Sequence, residues 1–177
     1  MINSNDITKI SEGAYPRLNG ALNLFFGYKG LDLSILLQGA ALRDTYLNNA
    51  AMWAFYDGQN ISDVALGRYQ TFEDGTNNWE TATYPRLTTL NSENNWRCST
   101  YWMKDASYLR LKNVELGYNF PRHMLEKVKI YGLRIYAKAQ NVGVLTGLDN
   151  FDPEDTGAGV SSYPFLRTFN FGVQVKF

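Results

Sequence analysis

Phe169-Asn170-Phe171-Gly172-Val173-Gln174-Val175-Lys176-Phe177 alternates apolar and polar residues without a break. Strict period-two alternation describes a strand with one apolar face and one wet face. The stretch is about as long as a tilted strand needs to be to cross a bilayer, roughly 9–11 residues. A soluble sandwich strand shows the same alternation, so the rest of the chain has to choose between the two.

Composition narrows the choice. Aromatic residues make up 15% of the 177 residues, with 12 Tyr, 10 Phe and 4 Trp beside 15 Gly, which suits strands, turns and an interfacial aromatic belt better than a helical bundle. Formal net charge is zero and no basic run interleaves with aromatics, so nothing points to nucleic acid. Cys98 is the single cysteine, which rules out an intrachain disulfide. There is no run of apolar residues long enough for a transmembrane helix, about 18 or more, and the polar start Met1-Ile-Asn-Ser lacks the apolar core of a signal peptide.

Five segments read as strands. Leu22, Leu24, Phe26 and Tyr28 share one face of the first, opposite Asn23, Phe25 and Gly27. Lys29-Gly30 then makes a tight reversal in which Gly30 takes a positive φ. The second strand sets Leu31, Leu33, Ile35 and Leu37 against Asp32, Ser34, Leu36 and Gln38. In the third, from Ser107 to Tyr118, the phase slips between Leu109/Leu111 and Val114/Leu116/Tyr118, and a one-residue bulge near Lys112-Asn113 restores one apolar face. The fourth opposes Leu133, Ile135, Ala137 and Ala139 to Arg134, Tyr136, Lys138 and Gln140; the fifth is the tail. In the linker Pro121–Ile130, Met124, Leu125 and Val128 have helical spacing and predict a single helical turn. The stretch Ala41 to Ala106 carries no strand pattern and reads as a long loop rich in Asn, Asp, Thr, Trp and Tyr.

The two faces argue against a soluble core. A soluble protein would have to cover the apolar faces with a second layer, and no further strands or long amphipathic helix remain to supply one. A bilayer covers them directly. A lipid-facing Lys or Arg at the midplane would cost roughly 2–4 kcal/mol, and the midsections of these faces contain none. The expected fold is therefore all-β: about five strands of a larger antiparallel transmembrane β-barrel, with long extracellular loops.

Four segments carry a family resemblance. They are Tyr15-Pro16-Arg17 to Gln38-Gly39; Ala106-Ser-Tyr-Leu-Arg-Leu-Lys-Asn-Val-Glu-Leu-Gly-Tyr-Asn-Phe-Pro121; Leu133-Arg-Ile-Tyr-Ala-Lys-Ala-Gln-Asn141 with Asp152-Pro153-Glu154; and Tyr163-Pro164 through Arg167-Thr168-Phe169 to Phe177. Together they resemble the carboxy-terminal part of SusC/RagA-type TonB-dependent transporters of the Bacteroidetes outer membrane. Within the long loop only Tyr84-Pro85-Arg86 and Ser99-Thr100-Tyr101-Trp102 fit the same pattern. The resemblance implies a barrel of roughly 22 strands, with residues 1–177 as a carboxy-terminal stretch and the plug domain and signal peptide outside it. It further implies import of glycans or peptides with a SusD-like surface lipoprotein, energy supplied through TonB, and assembly of the last strand, with Phe169, Phe171 and Phe177 as its signal, by the barrel-assembly machinery. A soluble β-rich carbohydrate-binding module is the alternative that the loop aromatics suggest.

Candidate functional residues follow from this frame. Trp53, Trp79, Trp96 and Trp102 are substrate-contact candidates, because indole faces stack on sugar rings; they serve equally to pack the loop on itself. Arg110, Glu115, Arg134 and Lys138 lie in the wet phase and are candidates to face the lumen, forming charge ladders with acids such as Glu115. Asp149, Asp152, Glu154 and Asp155 offer oxygen ligands of the kind calcium takes, and are also ordinary solvated turn residues. His123, the only histidine, sits in a turn beside Arg122, so no His-based triad or multi-histidine metal site is expected and the chain reads as a non-enzyme.

Overall fold

The computed structural model of the protein describes residues 8–11, 13–47, 52–58, 60–89, 95–126, 129–148, 151–154 and 165–177. Five long strands form one antiparallel sheet: β1 Leu18–Tyr28 and β2 Leu31–Ala41, then β5 Tyr108–Asn119, β6 Gly132–Thr146 and β7 Thr168–Lys176, in the order β1-β2-β5-β6-β7. Between β2 and β5 lie two three-residue strands, β3 Asp44–Tyr46 and β4 Met103–Asp105, paired as a separate sheet. The described residues thus form seven strands where the alternation pattern predicts five. Strands of three residues are too short to display a period, which is why β3 and β4 leave no trace in the sequence. Two short 3-10 turns, Tyr56–Gly58 and Asp63–Gly67, lie in the same excursion. The expected helical turn is α1, Arg122–Leu125; Val128 lies outside the described residues.

Register follows from the turn and the bulge. Tyr28 pairs with Leu31 across Lys29 (φ 46°) and Gly30 (φ 88°), two consecutive positive-φ positions that make a twist-matched hairpin turn. Across β5 the pairing with β2 steps from Leu36–Asn113 to Leu37–Leu111, so Lys112 is the extra residue. The bulge puts Leu109, Leu111, Val114, Leu116 and Tyr118 on one face, as the phase slip predicts. Asn141, opposite this irregularity on β6, takes φ 52°, a left-handed conformation that Asn tolerates better than most residues.

In this register the apolar residues form continuous rows. One row runs Phe26, Leu33, Leu116, Ala137, Phe171; the next runs Leu24, Ile35, Val114, Ala139, Phe169. Nothing among the described residues covers them. Leu22, Phe26, Leu116, Ile135, Phe169, Phe171 and Val173 are all exposed, and apart from Ala40 in β2 the buried apolar residues lie outside the five long strands, at Leu47, Met52, Ala54, Ala65, Tyr84, Trp102, Ala106, Leu125 and Leu148. A sheet that presents such a face to water would aggregate; the same face presented to lipid is stable. The five-stranded sheet is a portion of a transmembrane β-barrel. No helix among the described residues is long and apolar enough to cross a membrane, a test that does not bear on strands.

The chain divides into two compact units. One is the sheet with its flanking segments, residues 15–43, 106–154 and 163–177; the other is built mainly from residues 44–105.

Candidate functional site

The polar face of the sheet carries two charge clusters. The first lies near the β1–β2 turn. Arg134 Nη2 on β6 donates to Asp32 Oδ2 on β2 at 2.6 Å and to Glu115 Oε1 on β5 at 2.8 Å. Asn119 Nδ2 donates to the other Asp32 oxygen at 2.8 Å, so this carboxylate is held by two strands besides its own. The guanidinium also lies 5.2 Å from the centroid of the Tyr136 ring. Gly117 and Gly172 make this geometry possible: a Cβ at Gly117 would meet Arg134 and Asp32, and one at Gly172 would collide with the Tyr136 ring.

The second cluster lies at the other end of β5. Arg110 Nη2 donates to Asp152 Oδ1 at 2.5 Å, and Arg110 Nε makes an ion-pair contact with Glu154 Oε1 at 2.5 Å whose angle is not that of a hydrogen bond. Lys112 Nζ donates to both Glu154 oxygens, at 3.1 and 2.9 Å. Arg43 Nη1 donates to the Pro153 carbonyl at 2.6 Å, and the Phe165 ring lies 5.4 Å from the Arg110 guanidinium and 5.1 Å from Lys112 Nζ.

Of the four residues expected in charge ladders, Arg134 and Glu115 pair with each other, whereas Arg110 takes Asp152 and Glu154 rather than Glu115. Lys138 sits opposite Glu115 in the register. Asp152 and Glu154, read from sequence either as oxygen ligands of the kind calcium takes or as ordinary turn residues, face Arg110 and Lys112; Asp149 and Asp155 lie outside the described residues. The sequence gives no hint of Asp32 as the anchor of Arg134, because that pairing appears only once β2, β5 and β6 are in register. His123 sits in α1.

The unit of residues 44–105 is organised by aromatic rings. Trp53 and Trp96 stack with centroids 5.2 Å apart and planes 4° from parallel, and Trp102 meets Trp53 edge-on at 6.5 Å. Tyr101 and Tyr84 also pack edge-on against Trp102, which is buried. The Tyr84 hydroxyl donates to the Met52 carbonyl at 2.5 Å and accepts from Ala54 N at 3.0 Å; Trp102 Nε1 donates to the Asn95 carbonyl at 2.7 Å. Three of the four expected tryptophans therefore form one cluster. Trp79 stands apart and is exposed, on a turn pinned by Asn78, whose side chain bridges Gln70 N and the Arg68 carbonyl. Burial raises the Tyr84 hydroxyl above its ordinary pKa, and burial followed by the neighbouring Tyr84 pushes Tyr101 up to about 12. Tyr46 is raised by burial and then by Cys98, while hydrogen bonds from Thr76 lower the Asp74 carboxyl.

An uncovered apolar face backed by a polar face with internally paired charges defines a wall segment of an outer-membrane type β-barrel. Comparison with known proteins finds relatives of the same class. Over 96% of its length the chain is 26% identical to TonB-dependent receptor P3 of Formosa agariphila, and over 85% it is 28% identical to TonB-dependent receptor SusC of Bacteroides thetaiotaomicron. It spans only 17% and 14% of the lengths of those two relatives. Solved structures of the RagAB peptide importer in a closed-closed state and of the RagAB peptide transporter each superpose on the whole chain at 25% identity, with TM-scores of 0.76 and 0.75, and 19% of each of those chains is matched. No family model matches the chain. In sequence the chain is similar to TonB-dependent receptors such as SusC, and in fold to the RagAB structures.

Proposed function

We propose that the chain forms part of the wall and extracellular surface of an outer-membrane TonB-dependent transporter that imports oligosaccharides or peptides, and that it performs no catalysis. The observation that carries this reading is the uncovered apolar face spanning five strands in register, backed by a polar face. The polar face, with Arg110, Glu115, Arg134 and Lys138, lines the lumen; lipid covers the other. Trp79, and the Trp53–Trp96–Trp102 cluster through its rim, contact substrate or a partner at the outer surface. Similarity to TonB-dependent receptors supports a TonB-coupled receptor, and similarity to the RagAB peptide importer supports a peptide as cargo. By the same analogy the parent protein works with a SusD-like surface lipoprotein, draws energy through TonB, and reaches the outer membrane of a Gram-negative cell by the barrel-assembly machinery. No cofactor forms part of this reading; calcium in the Asp149–Asp155 loop would have to displace Arg110 and Lys112 from Asp152 and Glu154, and metal-dependent loop protection would reveal it. A soluble carbohydrate-binding module would require a covering layer, and none exists among the described residues.

Topology tests the reading. With β7 running towards the periplasm, residues 42–106 lie outside the cell and α1 lies in the periplasm. In the full-length parent with Cys98 replaced by serine, a cysteine at Asn77 labels with an impermeant maleimide on intact cells, and one at the exposed Met124 does not. The reverse pattern, or a parent found in the soluble fraction, refutes it.

A further inference from the structure

The segment Phe151–Glu154 is not an ordinary surface turn. Pro153 is fully buried, Arg110 is nearly so, and two basic side chains of β5 close on two carboxylates within three residues. The bulge explains how. An extra residue at Lys112 re-aims the strand locally, so that Lys112 reaches the same Glu154 carboxylate that Arg110 contacts two residues earlier. Asp152 Oδ1 additionally accepts from Glu154 N at 2.9 Å, which curls the segment and turns both carboxylates towards β5. The Phe165 ring lies over both cations, and Asn141 Nδ2 donates to the Leu166 carbonyl at 3.1 Å, so the returning arm of the β6–β7 connection is fastened to the sheet as well.

We propose that Arg110 and Lys112 form a two-cation latch that straps Phe151–Glu154 onto the polar face of the sheet, and that Arg110 is the positioning residue that fixes where the β6–β7 connection leaves the barrel wall. The strap turns a bulge that would otherwise only bend β5 into an anchor. Arg110 and Lys112 together match Asp152 and Glu154 in charge. If the polar face lines a lumen, as the proposed function holds, the strap narrows its outer mouth; the strap itself does not depend on that reading.

The test uses the full-length parent in a Cys98→Ser background, with the buried Pro153 replaced by cysteine as a reporter of strap release. On intact cells this cysteine labels slowly. Arg110→Met takes the guanidinium from the partly buried Asp152 and leaves Glu154 with Lys112 alone, and raises the labelling rate by at least about tenfold. Arg110→Lys keeps the charge but loses the two-pronged contact and gives an intermediate rate. Lys112→Met, which leaves the Arg110 contacts in place, gives a smaller rise and serves if Arg110→Met fails to assemble. Unchanged labelling in an assembled variant, or Arg110→Lys behaving like Arg110→Met, overturns the latch. An Asn77 cysteine measured alongside keeps the two ideas separate: labelled Asn77 with Pro153 still protected in assembled Arg110→Met sinks the strap alone, while unlabelled Asn77 sinks the transporter reading.

Discussion

The Tyr136 ring lies over Gly172, its register partner on β7, and occupies the space a side chain there would need. Along the same row Gly117 leaves room for Arg134 and Asp32. Glycine normally weakens a strand interior, because it adds backbone entropy and contributes nothing to packing. Here the cross-strand tyrosine supplies the missing contact, the arrangement by which an aromatic rescues a sheet glycine. Gly172→Ala should therefore displace the ring and destabilise the refolded parent by about 1–3 kcal/mol, the usual range for overpacking. Much of that loss should vanish in a Tyr136→Ala background, with a coupling energy of about 1 kcal/mol in urea unfolding of detergent-refolded protein. Strictly additive effects would show that the two residues do not act as a pair.

Arg134 is the hub of the first charge cluster, and Asp32 and Glu115 both depend on it. Removing its charge leaves two partly buried carboxylates facing one another. Arg134→Met should cost roughly 2–4 kcal/mol, below the range for a fully buried pair because these side chains keep some solvent contact. Arg134→Met with Asp32→Asn should recover part of that loss, since the second change removes one stranded charge. An undiminished double variant would mean that the arginine contributes through its stem and its contact with Tyr136 rather than through charge.

How far the sequence reaches is visible at Lys112 and at Asp44. The phase slip around Lys112 is a long-period signal, and it places both the bulge and the shared apolar face before any pairing is known. Alternation extends over many residues, so an error at one position does not erase it. Strands β3 and β4 leave no such signal, because three residues cannot show a period. Side-chain partners are harder still. Arg134 and Asp32 are separated by the whole excursion, and only strand register brings them together. Tyr84 and Trp102 became the centre of an aromatic cluster although nothing in their local sequence sets them apart from exposed Trp79. Burial there is decided by packing within the excursion, and composition records only that aromatics are present.

Tyr101 gives a test of that packing through pH. Its hydroxyl donates to the Thr83 carbonyl at 2.6 Å, and partial burial of a residue that remains 38% exposed pushes its pKa from the ordinary 10.0 up to about 12. In the unfolded chain the phenol ionises first, so the folded form binds more protons between those two values. The contribution to stability is complete below pH about 10 and is lost as pH rises towards about 12. Phenolate absorbance of the refolded parent should show a late-titrating component in this window, and Tyr101→Phe should remove it. A titration unaltered by that substitution would place Tyr101 in water.

Phe169 and Phe171 point from β7 into the apolar face, and Phe177 follows the strand's end; all three are exposed among the described residues. In a membrane their rings meet lipid or the aromatic girdle, each side chain worth about 1.5–3 kcal/mol when fully covered. Phe171 sits opposite Ala137, a small neighbour that leaves its ring little protein to pack against. Its contribution to the folded barrel should therefore lie at the low end of that range. If the same aromatics are read during assembly, their loss acts before any barrel exists, when no other contacts compensate. Alanine at Phe169, Phe171 and Phe177 together in the full-length parent should then lower outer-membrane abundance several-fold, while the protein refolded in detergent loses at most the sum of three such side chains, about 4.5–9 kcal/mol. Comparing membrane abundance with refolded stability separates the two effects. Normal abundance beside a measurable stability loss would make these rings packing residues and end the assembly-signal reading.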